Sequence, residues 1–136
     1  MISLILILIF GITEAAKDIL SFRYSQSVFY KYKKEFWHPQ FSWINKYNES
    51  KLACNKAPWY YLGLYKPRYT ERFPFSTTFL VFITDGWHFV KALSLFCLFG
   101  AIVFYTPIVN IWADVWIYIT VYSISFNLFE NKLFLK

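Results

Sequence analysis

The longest uncharged stretch of the chain runs from Ala92 to Ala113, and Pro107 interrupts it. Proline removes a backbone donor and clashes with the preceding turn, so it suits the first turn of a new helix better than a helix interior. The stretch therefore predicts a helical hairpin that turns at Thr106-Pro107. At about 1.5 Å of rise per residue, each arm is long enough to cross a hydrocarbon core of about 30 Å. The first arm is expected to start at Ser76, with a break near Gly86 as the alternative.

The N-terminal 22 residues form a second apolar region, which contains Glu14, Lys17 and Asp18 in its latter half. A signal peptide would need a positive charge before its apolar run, and no lysine or arginine precedes this one. We therefore interpret the region as a membrane helix. The composition agrees, because 57% of the residues are hydrophobic and 16% are charged, whereas soluble domains average roughly 45–50% and 25%.

The sequence thus predicts an all-α integral membrane protein with three transmembrane helices and a basic, aromatic-rich segment on one side. The predicted parts are helix 1 (1–22), the basic aromatic segment (23–75), helix 2 (76–105), the outer turn (106–107), helix 3 (108–130) and the tail (131–136).

The basic aromatic segment sets the orientation. It contains ten lysines and arginines against three glutamates, a net charge of +7, whereas the whole chain carries +6. Lysine and arginine in short loops favour the cytoplasmic side, so we expect the N-terminus outside and the C-terminus in the cytoplasm, in a bacterial inner membrane or a virion membrane. Tyrosine and tryptophan prefer the headgroup region, and lysines are attracted to anionic leaflets.

The segment is expected to lie on anionic headgroups or to dock on protein subunits or a second copy of the chain. Nucleic acid is an alternative that fits the alternating charges and aromatic rings, but no recognition motif supports it. The candidate surface-binding residues are Arg23, Lys31, Lys33, Lys34, Trp37, Trp43, Lys66, Arg68 and Arg72.

Six ionisable residues are predicted to meet in the inner half of the helix bundle as a buried ionic cluster. Charges at membrane depth are costly, so they are normally paired or functional. One interpretation pairs Lys17 with Asp85, and Lys91 with Glu14 or Asp18; another is a proton or cation relay. A third is a metal site, although no H-E-x-x-H or E-x-x-H pair is present. The predicted cluster comprises Glu14, Lys17, Asp18, Asp85, His88 and Lys91.

Near the outer side, Asn110 and Asp114 are spaced i, i+4 and are expected to stay hydrated or to bond to a neighbouring helix. No nucleophile motif, phosphate-binding loop or dinucleotide fingerprint occurs in the sequence. No catalytic residue, metal or cofactor is therefore predicted.

The run from Pro74 to His88, preceded by Phe-Trp-His-Pro at 36–39 and Ser-Trp-Ile-Asn-Lys at 42–46, resembles small uncharacterised membrane proteins of Bacteroidota and their phages. The resemblance covers about half the chain and implies a bacterial or phage-borne membrane protein, without an activity. It includes Asp85 and His88 of the predicted cluster.

Three functions are compatible with this sequence. The leading hypothesis is a structural or accessory membrane protein that anchors the basic segment at the inner face, as part of a larger assembly such as a phage or virion membrane. The first alternative is a holin-like protein that permeabilises the membrane, although holins keep their loops short. The second is an ion-coupled or metal-dependent membrane enzyme that uses the buried cluster.

Overall fold

The computed structural model describes residues 1–53 and 68–135, and for residues 42–43, 48–53 and 68–70 it describes the backbone alone. The fold is predominantly α-helical, as predicted. Short 3-10 helices and one π-helical turn, Phe129–Leu133, join or extend the main elements. The helices are α1 (Ile2–Phe22), α2 (Lys34–Trp37), α3 (Gly86–Val103) and α4 (Ile111–Leu128), and two strands, β1 (Tyr47–Ala53) and β2 (Arg68–Glu71), lie between α2 and α3.

The strands form a two-stranded antiparallel ladder that the sequence analysis did not expect. Tyr47 pairs with Glu71 and Ala53 pairs with Arg68, and the register is irregular between them. The ladder lies within the basic aromatic segment, so that segment is only partly helical.

The three long helices form a bundle in which α1 contacts both α3 and α4. α1 runs antiparallel to α3, since Glu14 meets Ser94 while Ser21, further along α1, meets the earlier Trp87. It runs parallel to α4, since Ser3 bonds to Tyr118 and Arg23 pairs with Glu130. The end of α1, the start of α3 and the end of α4 therefore share one end of the bundle, which we call the basic end. The opposite end is the hairpin end.

Two helix starts differ from the predicted bounds. α3 begins at Gly86 instead of Ser76, because the Asp85 side chain accepts the His88 amide and caps the helix there. The residues before it form turns, and Phe75 adopts a positive φ of 64°. α4 begins at Ile111, three residues after the predicted start at 108, since Asn110 caps it.

The middle and hairpin end of the bundle bury small side chains. Where α1 crosses α4, Gly11 faces Ser125 so closely that a Cβ on Gly11 would lie 2.0 Å from the serine Oγ. Ser94 and Ala101 of α3 are also buried. The large apolar side chains of the same helices point outward; Trp112 is 79% exposed and Phe96 is 71% exposed. Close helix contact therefore depends on small residues, not on an apolar core.

A conventional apolar core is present at the basic end. Leu20 and Tyr24 pack there with Ala16 and Val90, and the rings of Phe29, Trp37, Trp87 and Phe134 surround them. Among the described helices, α3 alone is long and apolar enough to cross a membrane by the criteria of length and composition. α1 is longer, but it includes the charges of Glu14, Lys17 and Asp18.

Candidate functional site

Asp85 is the centre of the polar structure at the basic end. Its side chain is 2% exposed, and one carboxylate oxygen accepts the His88 amide at 3.0 Å. The His88 ring nitrogen Nδ1 lies 2.9 and 2.8 Å from the two carboxylate oxygens. The i, i+3 spacing of Asp85 and His88 thus serves both the helix cap and a carboxylate–imidazole contact.

Lys46 completes this arrangement. Its Nζ lies 2.9 Å from Asp85 Oδ2 and 3.4 Å from His88 Nδ1. The backbone of Lys46 is fixed, because its carbonyl accepts the Ser76 hydroxyl at 2.7 Å and the Arg72 amide at 3.0 Å. We call Lys46, Asp85 and His88 the polar triad.

Sequence reasoning missed Lys46 as a site residue. It was counted only among the ten basic residues of the segment 23–75, and its partner lies 39 positions further along the chain. No local spacing signals such a contact. The only available signal was that a buried carboxylate needs a cation, which did not indicate which of the lysines would supply it.

The surroundings of Asp85 change its acidity in two opposite ways. Burial raises the pKa of the carboxyl, whereas hydrogen bonds from the His88 amide and ring and from Lys46 lower it. The hydrogen bonds together outweigh the effect of burial, so the pKa of Asp85 lies below the ordinary value and the group is a carboxylate in the folded protein.

A pH dependence follows from this shift. Because the folded-state pKa is depressed, the stabilisation by Asp85 is complete above its unfolded-state pKa and is lost as pH falls through the folded-state value. We expect the stability difference between the wild type and Asp85→Asn to shrink as pH falls below about 3.9, the ordinary aspartate pKa. Urea unfolding of both proteins in micelles across this range measures it. A difference that keeps its size or grows below that pH would contradict the assignment.

A cleft of about 350 Å³ opens beside the polar triad. It lies between the first turn of α3 and the chain at 36–39, and its walls include Trp37, His38, Trp87 and His88. Trp37 lies directly over Gly86, where a Cβ would come within 2.4 Å of the indole ring. The glycine therefore allows the α2 segment to close onto the start of α3.

The predicted ionic cluster divides into separate groups. Asp85 and His88 belong to the polar triad. Glu14 pairs instead with Lys17 on its own helix and accepts the Ser94 hydroxyl from α3. The predicted pair of Lys17 with Asp85 is therefore wrong.

The predicted cluster also included Lys91 and Asp18, but neither residue belongs to these two groups. The Lys91 ammonium lies over the Trp87 ring, 5.0 Å from its centroid, and not beside Glu14 or Asp18. Asp18 is half-buried. Within the described residues, no three histidine, cysteine, aspartate or glutamate side chains gather as they would around a metal ion.

Asp114 organises the turn at the hairpin end. It is 1% exposed and accepts the Tyr105 hydroxyl at 2.8 Å and the backbone amides of Ile108 and Val109 at 2.9 and 3.0 Å. The expectation that Asp114 stays hydrated or bonds to a neighbouring helix is wrong, because its partners belong to the turn that precedes its own helix. Asn110 caps α4 by accepting the Ala113 amide at 3.0 Å.

The predicted surface-binding residues have several roles. Arg23 pairs with Glu130 at 3.1 Å, and Arg72 donates to Asn45 at 2.8 Å. Trp37 stacks on Phe29, with ring centroids 4.8 Å apart. Lys31, Lys33 and Lys34 are exposed, with Lys33 4.0 Å from Glu35 and Lys34 over the Tyr30 ring. Lys66 lies outside the described residues, as do the side chains of Trp43 and Arg68.

Comparisons of the chain with protein-family models, with curated proteins and with solved structures found no match. The resemblance of the Pro74–His88 run to bacterial and phage membrane proteins stays a prediction from the sequence. Function is therefore inferred from the geometry of the helix bundle and its basic end.

Proposed function

We propose that the chain is an integral membrane protein whose helices α1, α3 and α4 each cross the bilayer. It anchors the basic aromatic segment at the inner face as a structural or accessory component of a larger assembly. The observation that carries the proposal is the distribution of side chains in the bundle, in which small residues are buried and large apolar residues face outward.

This distribution suits a lipid environment. In water, large apolar side chains drive folding by becoming buried, and monomeric soluble proteins rarely expose broad apolar patches. In lipid that driving force between helices is missing, so helices associate through small residues and hydrogen bonds. The Gly11–Ser125 crossing and the Ser3–Tyr118 hydrogen bond of 2.7 Å are contacts of this kind.

The arrangement of charge supports the orientation. α1 is antiparallel to α3 and parallel to α4, so the basic segment and the C-terminal tail share one end of the bundle. The turn at the hairpin end, residues 104–110, contains no charged residue. By the positive-inside rule the basic end faces the cytoplasm.

The positions of the buried polar groups favour a docking role over a proton relay. Ser94, which donates to Glu14, is nine residues from Asp85 along the chain, about 14 Å at helical rise, so the two carboxylates lie too far apart for direct proton transfer. Each carboxylate has partners nearby: Glu14 bonds to Lys17 and Ser94, while Asp85 bonds to Lys46 and His88. These contacts hold helices together and satisfy costly polar groups.

Alkaline carbonate extraction and a topology reporter test the proposal. We expect the protein to stay in the membrane pellet and a C-terminal fluorescent fusion that matures only in the cytoplasm to fluoresce. Replacing Lys31, Lys33 and Lys34 by glutamine should lower the fraction of molecules whose C-terminus lies in the cytoplasm, since it removes three positive charges from the inner side. Replacing the same three lysines by arginine keeps the charge and is the matched control.

Two results would contradict the proposal. Release of the wild type into the carbonate supernatant would contradict membrane integration. Collapse of the membrane potential on expression, measured with a potential-sensitive dye, would replace the accessory role with the holin-like one.

A further inference from the structure

The cleft between the α2 segment and the start of α3 has the composition of a ligand site. Most small-molecule sites combine apolar walls with a few convergent polar groups. Here the walls are the aromatic rings of Phe36, Trp37 and Trp87, and the polar groups include the imidazoles of His38 and His88.

The hydrogen bonds already present indicate what the imidazoles can offer. His38 Nδ1 accepts the Gln40 amide at 3.1 Å, so in the neutral ring the proton is on Nε2, which is a donor. His88 Nδ1 is engaged with the Asp85 carboxylate, which leaves Nε2 for a ligand. When His88 is protonated, that second nitrogen is a donor as well.

The other polar groups of the cleft are already occupied. Asp85 is bonded to Lys46 and His88, and the Ser21 hydroxyl accepts from Trp87 at 3.0 Å and donates to the Lys17 carbonyl at 2.9 Å. Lys46 neutralises Asp85, and the Lys91 ammonium lies over the ring of Trp87, which lines the cleft. Two imidazoles and an ammonium favour an anionic oxygen ligand.

We propose that this cleft binds the phosphate group of an anionic phospholipid from the inner leaflet. His38, His88 and Lys91 contact the phosphate oxygens, and the rings of Trp37 and Trp87 pack against the glycerol and the first acyl methylenes. The proposal rests on the proposed membrane function, which places this end of the bundle at headgroup depth. Tryptophan is enriched at that depth because its ring is apolar and its N–H is polar.

Binding can be measured on delipidated full-length protein in a neutral detergent, with soluble short-chain phosphatidylglycerol as the probe. Native mass spectrometry reports how many lipid molecules are bound to each chain. Because this measurement does not depend on membrane insertion in cells, its result is independent of the test of the proposed function. We expect saturable binding of one lipid per chain and at least a tenfold weaker affinity in His38→Gln/His88→Gln. Lys91→Gln should weaken binding severalfold. Lys132→Gln is the matched control, because it removes an exposed lysine outside the cleft, and it should bind like the wild type.

The competing ligands decide the source of the phosphate. Short-chain diacylglycerol should bind poorly, because it lacks the anion, and inorganic phosphate should bind poorly, because it lacks the apolar part. Equal binding of inorganic phosphate and the lipid would overturn the lipid assignment, and equal binding of diacylglycerol would overturn the phosphate contacts. The single variant His38→Gln tests the phosphate contact without changing the polar triad, because His38 is not part of it. If it folds normally by circular dichroism and binds the lipid like the wild type, the proposal is wrong.

Discussion

Replacing Asp85 with alanine is expected to lower the free energy of unfolding by roughly 3 kcal/mol, the lower end of the effect of breaking a buried ion pair. The substitution removes the cap of α3 and leaves Lys46 without its carboxylate. The lower end applies because the Lys46 side chain is 15% exposed and regains some hydration. Denaturant unfolding in micelles measures the loss.

Two further variants separate the cap from the ion pair. Asp85→Ser keeps a good capping oxygen, so it should be about 1 kcal/mol more stable than Asp85→Ala while still lacking the charge. Adding Lys46→Met to Asp85→Ser removes the orphaned cation and should restore part of the stability. If all three variants were as stable as the wild type, Asp85 would not organise the basic end.

Replacing Gly11 with leucine is expected to separate α1 from α4 and to lower stability by about 3 kcal/mol, the upper end of typical overpacking effects. A Cβ at Gly11 would lie 2.9 Å from the Tyr122 carbonyl oxygen, which belongs to the α4 backbone and cannot rotate away. Separation of the helices would also break the Ser3–Tyr118 hydrogen bond and the Arg23–Glu130 ion pair. Thermal unfolding and limited proteolysis in micelles measure the effect.

Gly100→Ala is the matched control for Gly11→Ala, which places the same Cβ where α1 crosses α4. At Gly100 the nearest atom to a new Cβ is the end of the Leu6 side chain, at 3.1 Å, which can move by changing rotamer. The steric cost of the added methyl group should therefore be small, and alanine favours the helix over glycine by up to about 1 kcal/mol. Equal stability of Gly11→Ala and Gly100→Ala would contradict the close crossing of α1 and α4.

Local chemistry in the sequence predicted part of the site. The spacing of Asp85 and His88 places them one helical turn apart, and they do meet. Glu14 and Lys17 have the same spacing and pair within α1, although the sequence analysis assigned their charges to partners on another helix. The error arose because membrane depth was used to choose partners, whereas contact within one helix was already available.

The turn at the hairpin end illustrates a different kind of miss. Pro107 predicted where the chain reverses. The buried carboxylate of Asp114 was expected to stay hydrated or to bond to a neighbouring helix, yet it accepts two turn amides and the Tyr105 hydroxyl. Its partners lie five to nine positions earlier in the chain, beyond the i, i+4 window in which helical spacing has meaning.

The sequence by itself determined the apolar helical hairpin, the place where it turns and the concentration of positive charge in the segment 23–75, because these depend on composition along the chain. The tertiary structure decided that small residues lie between the helices and that Lys46 reaches Asp85. Average hydropathy does not distinguish the face of a helix that meets a neighbour from the face that meets solvent or lipid. A lysine that approaches through a folded segment leaves no periodic signal, since its position depends on backbone contacts such as those of Ser76 and Arg72 with the Lys46 carbonyl.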